Sequence, residues 1–282
     1  MEPSATPAGQ ESRSDLVGVV LAAGSARRLL PLSDLRPKAL CPVGNRALVD
    51  CALDRLAPVV GGLGVNLHHH VDLLSEHLHR EWGSQVWQSI ERTEAMGTAG
   101  GIARMRRWID GRGVLVVNAD AWSPSDLSPL VDGWNNETIR VMVQGVAEFG
   151  PKAKIVASTL PWSVVAQLEE RPTGLFEVVW RDAFSRGELE VIGHDGVFHD
   201  CGTPLDYLLA NLDAVALHGE SIVSDDATIE SDAELVNCVI GAGAHIAGDV
   251  SSSVVWSGQS VGADERLIRS IRAGTSVTVG PL

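Results

Sequence analysis

The chain has 282 residues, a hydrophobic content of 45% and a formal net charge of −14. That length predicts one large or two modest domains able to bury a sizeable core. The acidic balance argues against nucleic acid or an anionic membrane surface as the main partner, although a basic pocket with a divalent metal still suits a phosphate-rich substrate. No apolar run is long enough to span a bilayer. Met1–Ser14 is polar, with Pro and Gly and no apolar signal core, so residues 1–15 are expected to form a disordered tail. Cys41, Cys51, Cys201 and Cys238 show no CxxC or zinc spacing, which suggests reduced thiols and a cytoplasmic location.

Val17–Ala22 is a continuous apolar run of the kind found in buried strands. It breaks at Ala22-Ala23-Gly24-Ser25-Ala26, a small-residue turn whose backbone N–H groups suit a phosphate, with Arg27, Arg28 and Lys38 close behind. Taken alone, such a turn fits an ordinary tight connection equally well. Leu48, Val49, Ala52, Leu53 and Leu56 recur at helical spacing, and Val71, Leu74 and Leu78 do the same after a short strand at Gly64–Leu67. Gln85–Ile90 alternates like a strand, Thr98–Trp108 looks helical, and Val114–Val117 reads as a central strand. This alternation predicts an α/β domain with a mostly parallel sheet, helices on both faces, and ligands at the carboxyl ends of the strands.

Asp120 follows the central strand and so falls at that rim, although a lone Asp there is equally a helix cap or turn residue. Two short strands flanking Gly193-His194-Asp195-Gly196 predict a hairpin between Glu190 and His199. Pro204–Ala216 follows as a helix with a stripe of Leu205, Leu208, Leu209 and Leu212. Beyond it the pattern changes. Val223, Ile229 and Leu235 recur every six positions. Ile240-x-x-Gly243-x-x-Ile246 then repeats as Val255-x-x-Gly258-x-x-Val261 and Ile271-x-x-Gly274-x-x-Val277. Offsets of this size fit one circuit of a hexapeptide-type β-solenoid, and a β-sandwich is the alternative. A short solenoid with apolar ends predicts packing on its own domain or a homo-oligomer. His68-His69-His70, Asp72, His77 and His79 lack a converging ligand pair, and the tryptophans are scattered.

The residues Leu29-x-Pro31-Leu32 and Pro37-Lys38-Ala39-Leu40-x-Pro42-Val43, following the Ala22–Ala26 loop, resemble the signature of the sugar-nucleotide pyrophosphorylases, LAAGxGxRLxPL then PKxLxPV. Ala26 stands where that pattern has its second loop glycine, and its methyl group would crowd a phosphate if the backbone needs positive φ. Glu94-Ala95-Met96-Gly97-Thr98-Ala99-Gly100-Gly101 is similar to the family's ExxxGTAGG segment, Val116-Val117-Asn118-Ala119-Asp120 to its hydrophobic-NxD motif, and Asp200-Cys201-Gly202-Thr203-Pro204 to its DxGTP segment. The resemblance implies a Rossmann-like nucleotidyltransferase domain over 16–218 and a short left-handed β-helix over 219–282. It implies an enzyme joining an NTP to a sugar 1-phosphate, with release of pyrophosphate.

The same resemblance assigns roles residue by residue. Arg28, Lys38 and Asp120 are the expected catalytic residues, and Asp120 and Asp200 the expected ligands of Mg²⁺. Leu21, Ala22, Ala23, Gly24, Ser25, Arg92, Gly97 and Thr98 are expected to bind the nucleotide. Gly97 and Gly100 would let the backbone approach the flat base. The Glu-Lys pair that many members carry in the middle of the domain is missing. Lys152, Lys154 and Asn118 are therefore the candidates for the sugar phosphate, with Leu160-Pro161-Trp162 and Glu177-Val178-Val179-Trp180 shaping the sugar pocket. A mannose-1-phosphate guanylyltransferase-like member is the first expectation, with uridylyl or thymidylyl transfer still open. The alternative is a catalytically silent homologue that binds a nucleotide sugar and regulates a partner.

Overall fold

A computed structural model describes residues 14–24, 26–146 and 148–279. Residues 1–13 of the tail expected over 1–15, and Ser25, lie outside these residues. By backbone contacts the chain forms two compact units, and neither is continuous in sequence. One comprises residues up to Ser25 together with Val49–Ala119 and Ser123–Gly196; the other comprises Ala26–Leu48, Asp120–Trp122 and Val197–Leu282.

The first unit is built on a seven-stranded sheet: β1 (Leu16–Leu21), β2 (Leu63–Leu67), β3 (Val86–Ile90), β4 (Gly113–Asn118), β5 (Ile139–Gln144), β6 (Ile155–Leu160) and β7 (Leu189–His194). Its order is β7-β5-β6-β4-β1-β2-β3. Only β6 runs against its neighbours. β1 and the Val114–Val117 run of β4 are continuously apolar because both faces of a central parallel strand are covered. The register sets Leu21 beside Asn66 on one side and Asn118 on the other, so the three strands end level. The helices α1 (Leu48–Leu56) and α2 (Val71–Trp82) bury the expected Leu48, Val49, Ala52, Leu53, Leu56, Leu74 and Leu78, with Val71 half-buried, and α3 (Gly97–Arg104) buries Ile102. Burying a leucine of this kind contributes roughly 1.5–3 kcal/mol.

One local expectation fails in this unit. Gly193 and His194 belong to β7, which pairs in parallel with β5 over six residues. His199–Asp200 pairs elsewhere, antiparallel to Ala121–Trp122. The long edge pairing outcompetes the short hairpin that the Gly-His-Asp-Gly turn signal suggests.

In the second unit, α4 (Pro204–His218) starts at Thr203, whose Oγ1 accepts the Asp206 N–H at 3.2 Å, and stops at Gly219 (φ 92°). Its buried residues are Tyr207, Leu208, Ala210, Asn211 and Val215, so of the expected leucine stripe only Leu208 is buried and Leu205, Leu209 and Leu212 are half-buried. The buried face takes Tyr207 and Asn211 because their polar ends find partners. The Tyr207 hydroxyl donates to Pro42 O, and Asn211 Oδ1 accepts the Gly44 N–H at 3.1 Å.

After α4 the chain visits three small parallel sheets in rotation. Each strand lies beside the one a circuit earlier, 15 or 17 positions away, as with Ile222 and Val239 or Ile240 and Val255. The repeated Gly243 and Gly258 sit at φ 64° and 70°, a conformation that favours glycine. Cys238, Ile240, Ala244, Ile246, Val250, Val255, Val261 and Leu267 fill the interior. The third repeat does not continue the pattern. Val255 pairs with Arg272 rather than Ile271, and Val277 folds back antiparallel onto Ile271, which ends the stacking.

Candidate functional site

Within the second unit, four charged side chains converge. Pro37 leads into a tight 3-10 turn, Lys38–Leu40, that tucks Lys38 inward until its side chain is 7% exposed. Its Nζ lies 3.1 Å from Asp120 Oδ2 and 3.5 Å from Asp200 Oδ1. The two aspartates are eighty residues apart in sequence. The pairing of Asp200 with Ala121 and the Cys201 N–H bond to Asp120 O (3.0 Å) bring them together. Arg28, 71% exposed, closes the group with Nη2 at 3.6 Å from Asp200 Oδ2. Gly202 leaves the space for this contact. A Cβ there would stand 2.9 Å from Arg28 Nη2 and 3.1 Å from Asp200 Oδ1.

This donor set suits a hard divalent cation. Asp120 and Asp200 are 52% and 43% exposed, so each keeps lone pairs and space for an ion. Two carboxylates completed by water and phosphate oxygens are the usual holding of Mg²⁺. Cys41 and Cys201, buried beside them, do not compete as thiolates. Burial pushes the Cys41 thiol up to about 12 and the Cys201 thiol up as well. Ala26, at the start of this segment, has φ 49° and ψ 28°. The left-handed conformation for which the family pattern has glycine is therefore adopted here by alanine.

Within the first unit, the end of β1 is tied to the GTAGG segment by a buried polar chain. The Ala22 N–H donates to Asn66 Oδ1 (2.8 Å), Asn66 Nδ2 donates to Glu91 Oε1 (2.7 Å), and Glu91 Oε2 accepts the Met96 N–H (2.8 Å). Asn66 and Glu91 are each 1% exposed. Gly101 gives the chain its space, since a Cβ there would meet Asn66 Nδ2 at 2.8 Å and Glu91 Oε1 at 3.0 Å. Sequence reasoning missed Glu91. Its signal was a carboxylate directly after a strand, which reads the same as a surface residue. Gly24 is exposed and has open space where a Cβ would be, so the loop backbone is approachable at that point.

The other expected residues divide. Gly97 and Gly100 do allow a close approach, but the chain itself occupies it. Cβ atoms there would meet Thr173 O at 2.5 Å and Arg171 O at 2.1 Å. The Ala99 N–H donates to Thr173 O and Thr98 Oγ1 accepts the Leu175 N–H (2.7 Å). Arg92 is exposed beyond β3, and Asn118 is half-buried at the end of β4. Lys152 and Lys154 are exposed in the connection from β5 to β6. Leu160, Val179 and Trp180 belong to the hydrophobic core, with Trp162 packed against it. His68 Nδ1 lies 2.8 Å from Glu91 O, and His77 Nε2 lies 2.9 Å from Asp50.

The nucleotidyl transferase family model matches residues 17–173, more than half of the chain, and the chain belongs to that family. It is 37% identical over 115 residues to the N-acetylmuramate alpha-1-phosphate uridylyltransferase of Caulobacter vibrioides, covering 39% of this chain and 48% of that protein. It is 24% identical over 221 residues to the bifunctional protein GlmU of Methanococcus aeolicus, covering 68% of this chain and 53% of the relative. The chain thus spans about half the length of these curated relatives. With the mannose-1-phosphate guanylyltransferase of Mycobacterium tuberculosis it shares 27% identity over 278 residues, 81% of this chain and 76% of the relative. The fold is similar to the crystal structure of HddC from Yersinia pseudotuberculosis, with a TM-score of 0.56 at 19% identity, covering 70% of this chain and 99% of that one. No helix among the described residues is long and apolar enough to cross a membrane.

Proposed function

We propose that this protein is a sugar-1-phosphate nucleotidyltransferase, converting an NTP and a sugar 1-phosphate to an NDP-sugar and pyrophosphate. The observation that carries the reading is the convergence of Asp120 and Asp200 on the Lys38 ammonium, with Arg28 alongside. A phosphate oxygen of the sugar phosphate attacks the α-phosphorus as its bond to the bridging oxygen of the leaving pyrophosphate breaks. No protein nucleophile is needed, so rate comes from positioning and charge stabilisation. Lys38 holds phosphate oxygens at the reacting centre, and Arg28 stabilises the negative charge that grows on the leaving group. Asp120 and Asp200 hold Mg²⁺, which when bound neutralises phosphate charge. Leu21, Ala22, Ala23, Gly24 and Ser25 bind the nucleotide, with backbone donors coming from the loop after Ala22, whose own N–H is taken by Asn66, and Arg92, Gly97 and Thr98 serve the base. Asn118, Lys152 and Lys154 serve the sugar phosphate.

We take GTP and mannose 1-phosphate as the first pair to test, because the guanylyltransferase relative matches over most of both chains. We further assign 16–218 to the nucleotidyltransferase domain and 219–282 to a left-handed β-helix, on the rotation among three parallel sheets and the glycine corners. A homo-oligomer in the cytoplasm completes the reading, with no nucleic acid or membrane partner. The alanine in left-handed conformation at position 26 favours one rival, a silent homologue that binds NDP-sugars and regulates a partner. A screen of GTP, UTP, dTTP, ATP and CTP against several sugar 1-phosphates, read by pyrophosphate release, separates the two. Release is expected with GTP and mannose 1-phosphate; release only with another pair moves the specificity. No release with any pair, together with tight NDP-sugar binding, overturns the enzyme in favour of the regulator.

A further inference from the structure

The segment that carries Lys38 is clasped at several points by α4 and by the C-terminal parallel strands. Arg36 lies over the Trp256 ring, its Cζ 4.3 Å from the centroid. Pro42 O accepts the Tyr207 hydroxyl, and that same hydroxyl accepts the Trp256 Nε1–H at 2.9 Å. Asn45 Nδ2 donates to Ile240 O at 2.7 Å. Tyr207 and Trp256 meet edge to face and are both buried. Burial raises the Tyr207 phenol well above its ordinary pKa, so it remains a donor. The ties fall on residues 36, 42 and 45, on both sides of Lys38.

We propose that the C-terminal strands are a working part of the catalytic apparatus, with Trp256 acting as a positioning residue for Lys38 through Arg36 and the Tyr207–Pro42 bond. This rests on the nucleotidyltransferase reading. It goes beyond it by giving the C-terminal region a task inside a single chain, apart from any role in assembly. A lysine that must meet two carboxylates and a phosphate tolerates little displacement, since a shift of about 1 Å costs on the order of 10²-fold in rate. Its own 3-10 turn spans only three residues.

The test uses the full chain and two variants. Trp256→Phe keeps a ring beneath Arg36 and removes the N–H donor. Asn45→Gly removes the bond to Ile240 while matching the positive φ of 66° at that position. Each is expected to lower kcat about tenfold or more with KM for the NTP within twofold, and Trp256→Phe in a Lys38→Ala background is expected to lower kcat no further. The second readout is alkylation of Cys41 followed by peptide mass spectrometry. Cys41 is buried within the clasped segment, and it is expected to label several-fold faster in both variants while Cys51 is unchanged. Wild-type kcat and wild-type Cys41 labelling in both variants overturn the proposal. So does a kcat loss that is fully multiplicative with Lys38→Ala. If the wild-type chain releases no pyrophosphate, the functional reading fails separately. The labelling then still decides whether the clasp exists: unchanged Cys41 rates overturn it, and faster rates retain it.

Discussion

Gly202→Ala separates the charge cluster from the stability of the fold. The added Cβ would stand 2.9 Å from Arg28 Nη2, 3.1 Å from Arg28 Cζ and 3.1 Å from Asp200 Oδ1. These contacts are too close, so one partner must move. Arg28 is 71% exposed and swings out easily, so the stability cost stays at the low end of overpacking, about 1 kcal/mol. The chemical cost is larger. A swung-out Arg28 no longer meets the developing charge, and Asp200 is pressed away from Lys38. Losing one preorganised donor typically costs on the order of 10²–10³ in rate. Partial displacement predicts a 10- to 100-fold fall in kcat with the melting temperature reduced by only a few degrees. Thermal unfolding and pyrophosphate release measured on the same preparation check both halves. Turnover within twofold of wild type would refute the placement of Arg28 and Asp200 at the reacting centre.

Ala26→Gly relieves a left-handed alanine, a strain of about 1–2 kcal/mol set against about 0.5–1 kcal/mol of glycine entropy; a small rise in melting temperature and no loss of turnover are expected. Glu91→Ala leaves the Asn66 amide and the Met96 N–H without their buried acceptor. A loss of about 2–5 kcal/mol in denaturant unfolding is expected, and a higher KM for the NTP in whatever remains folded. The buried Cys41 thiol keeps its proton in the folded state up to about pH 12, whereas the unfolded thiol ionises from about pH 8.5. The unfolded state therefore binds fewer protons above that pH, and stability falls as pH rises by about 1 kcal/mol per unit between pH 9 and 12. Urea unfolding at pH 8 and pH 10 measures this slope, and Cys41→Ala is expected to make it shallower.

Much of the sheet was legible because fully buried parallel strands are continuous apolar runs, as at Val17–Leu21 and Val114–Val117. The rotating strands were legible for the same kind of reason: one aliphatic residue and one glycine recur per circuit. The failures share a cause, which is that local patterns do not record distant partners. Gly193 and His194 look like a turn until β5 offers six residues of pairing. Tyr207 and Asn211 look like the polar side of α4 until Pro42 and Gly44 satisfy them. Gly97 and Gly100 do not announce that their Cβ positions lie against the carbonyls of Thr173 and Arg171. Glu91 carried no local mark of burial, and its task comes from Asn66 and the Met96 N–H. The meeting of Asp120 and Asp200 was proposed from motif resemblance alone. The contacts that bring them together are a two-residue antiparallel ladder that periodicity cannot register.

The role of Asp120 and Asp200 as metal-holding carboxylates is decided by pyrophosphate release as a function of free Mg²⁺, for the wild-type chain and for Asp120→Asn and Asp200→Asn. Turnover is expected to rise with Mg²⁺ and vanish in EDTA, and to fall at least about 10²-fold in each variant. Full turnover in EDTA, or wild-type rates in both variants, would contradict that role.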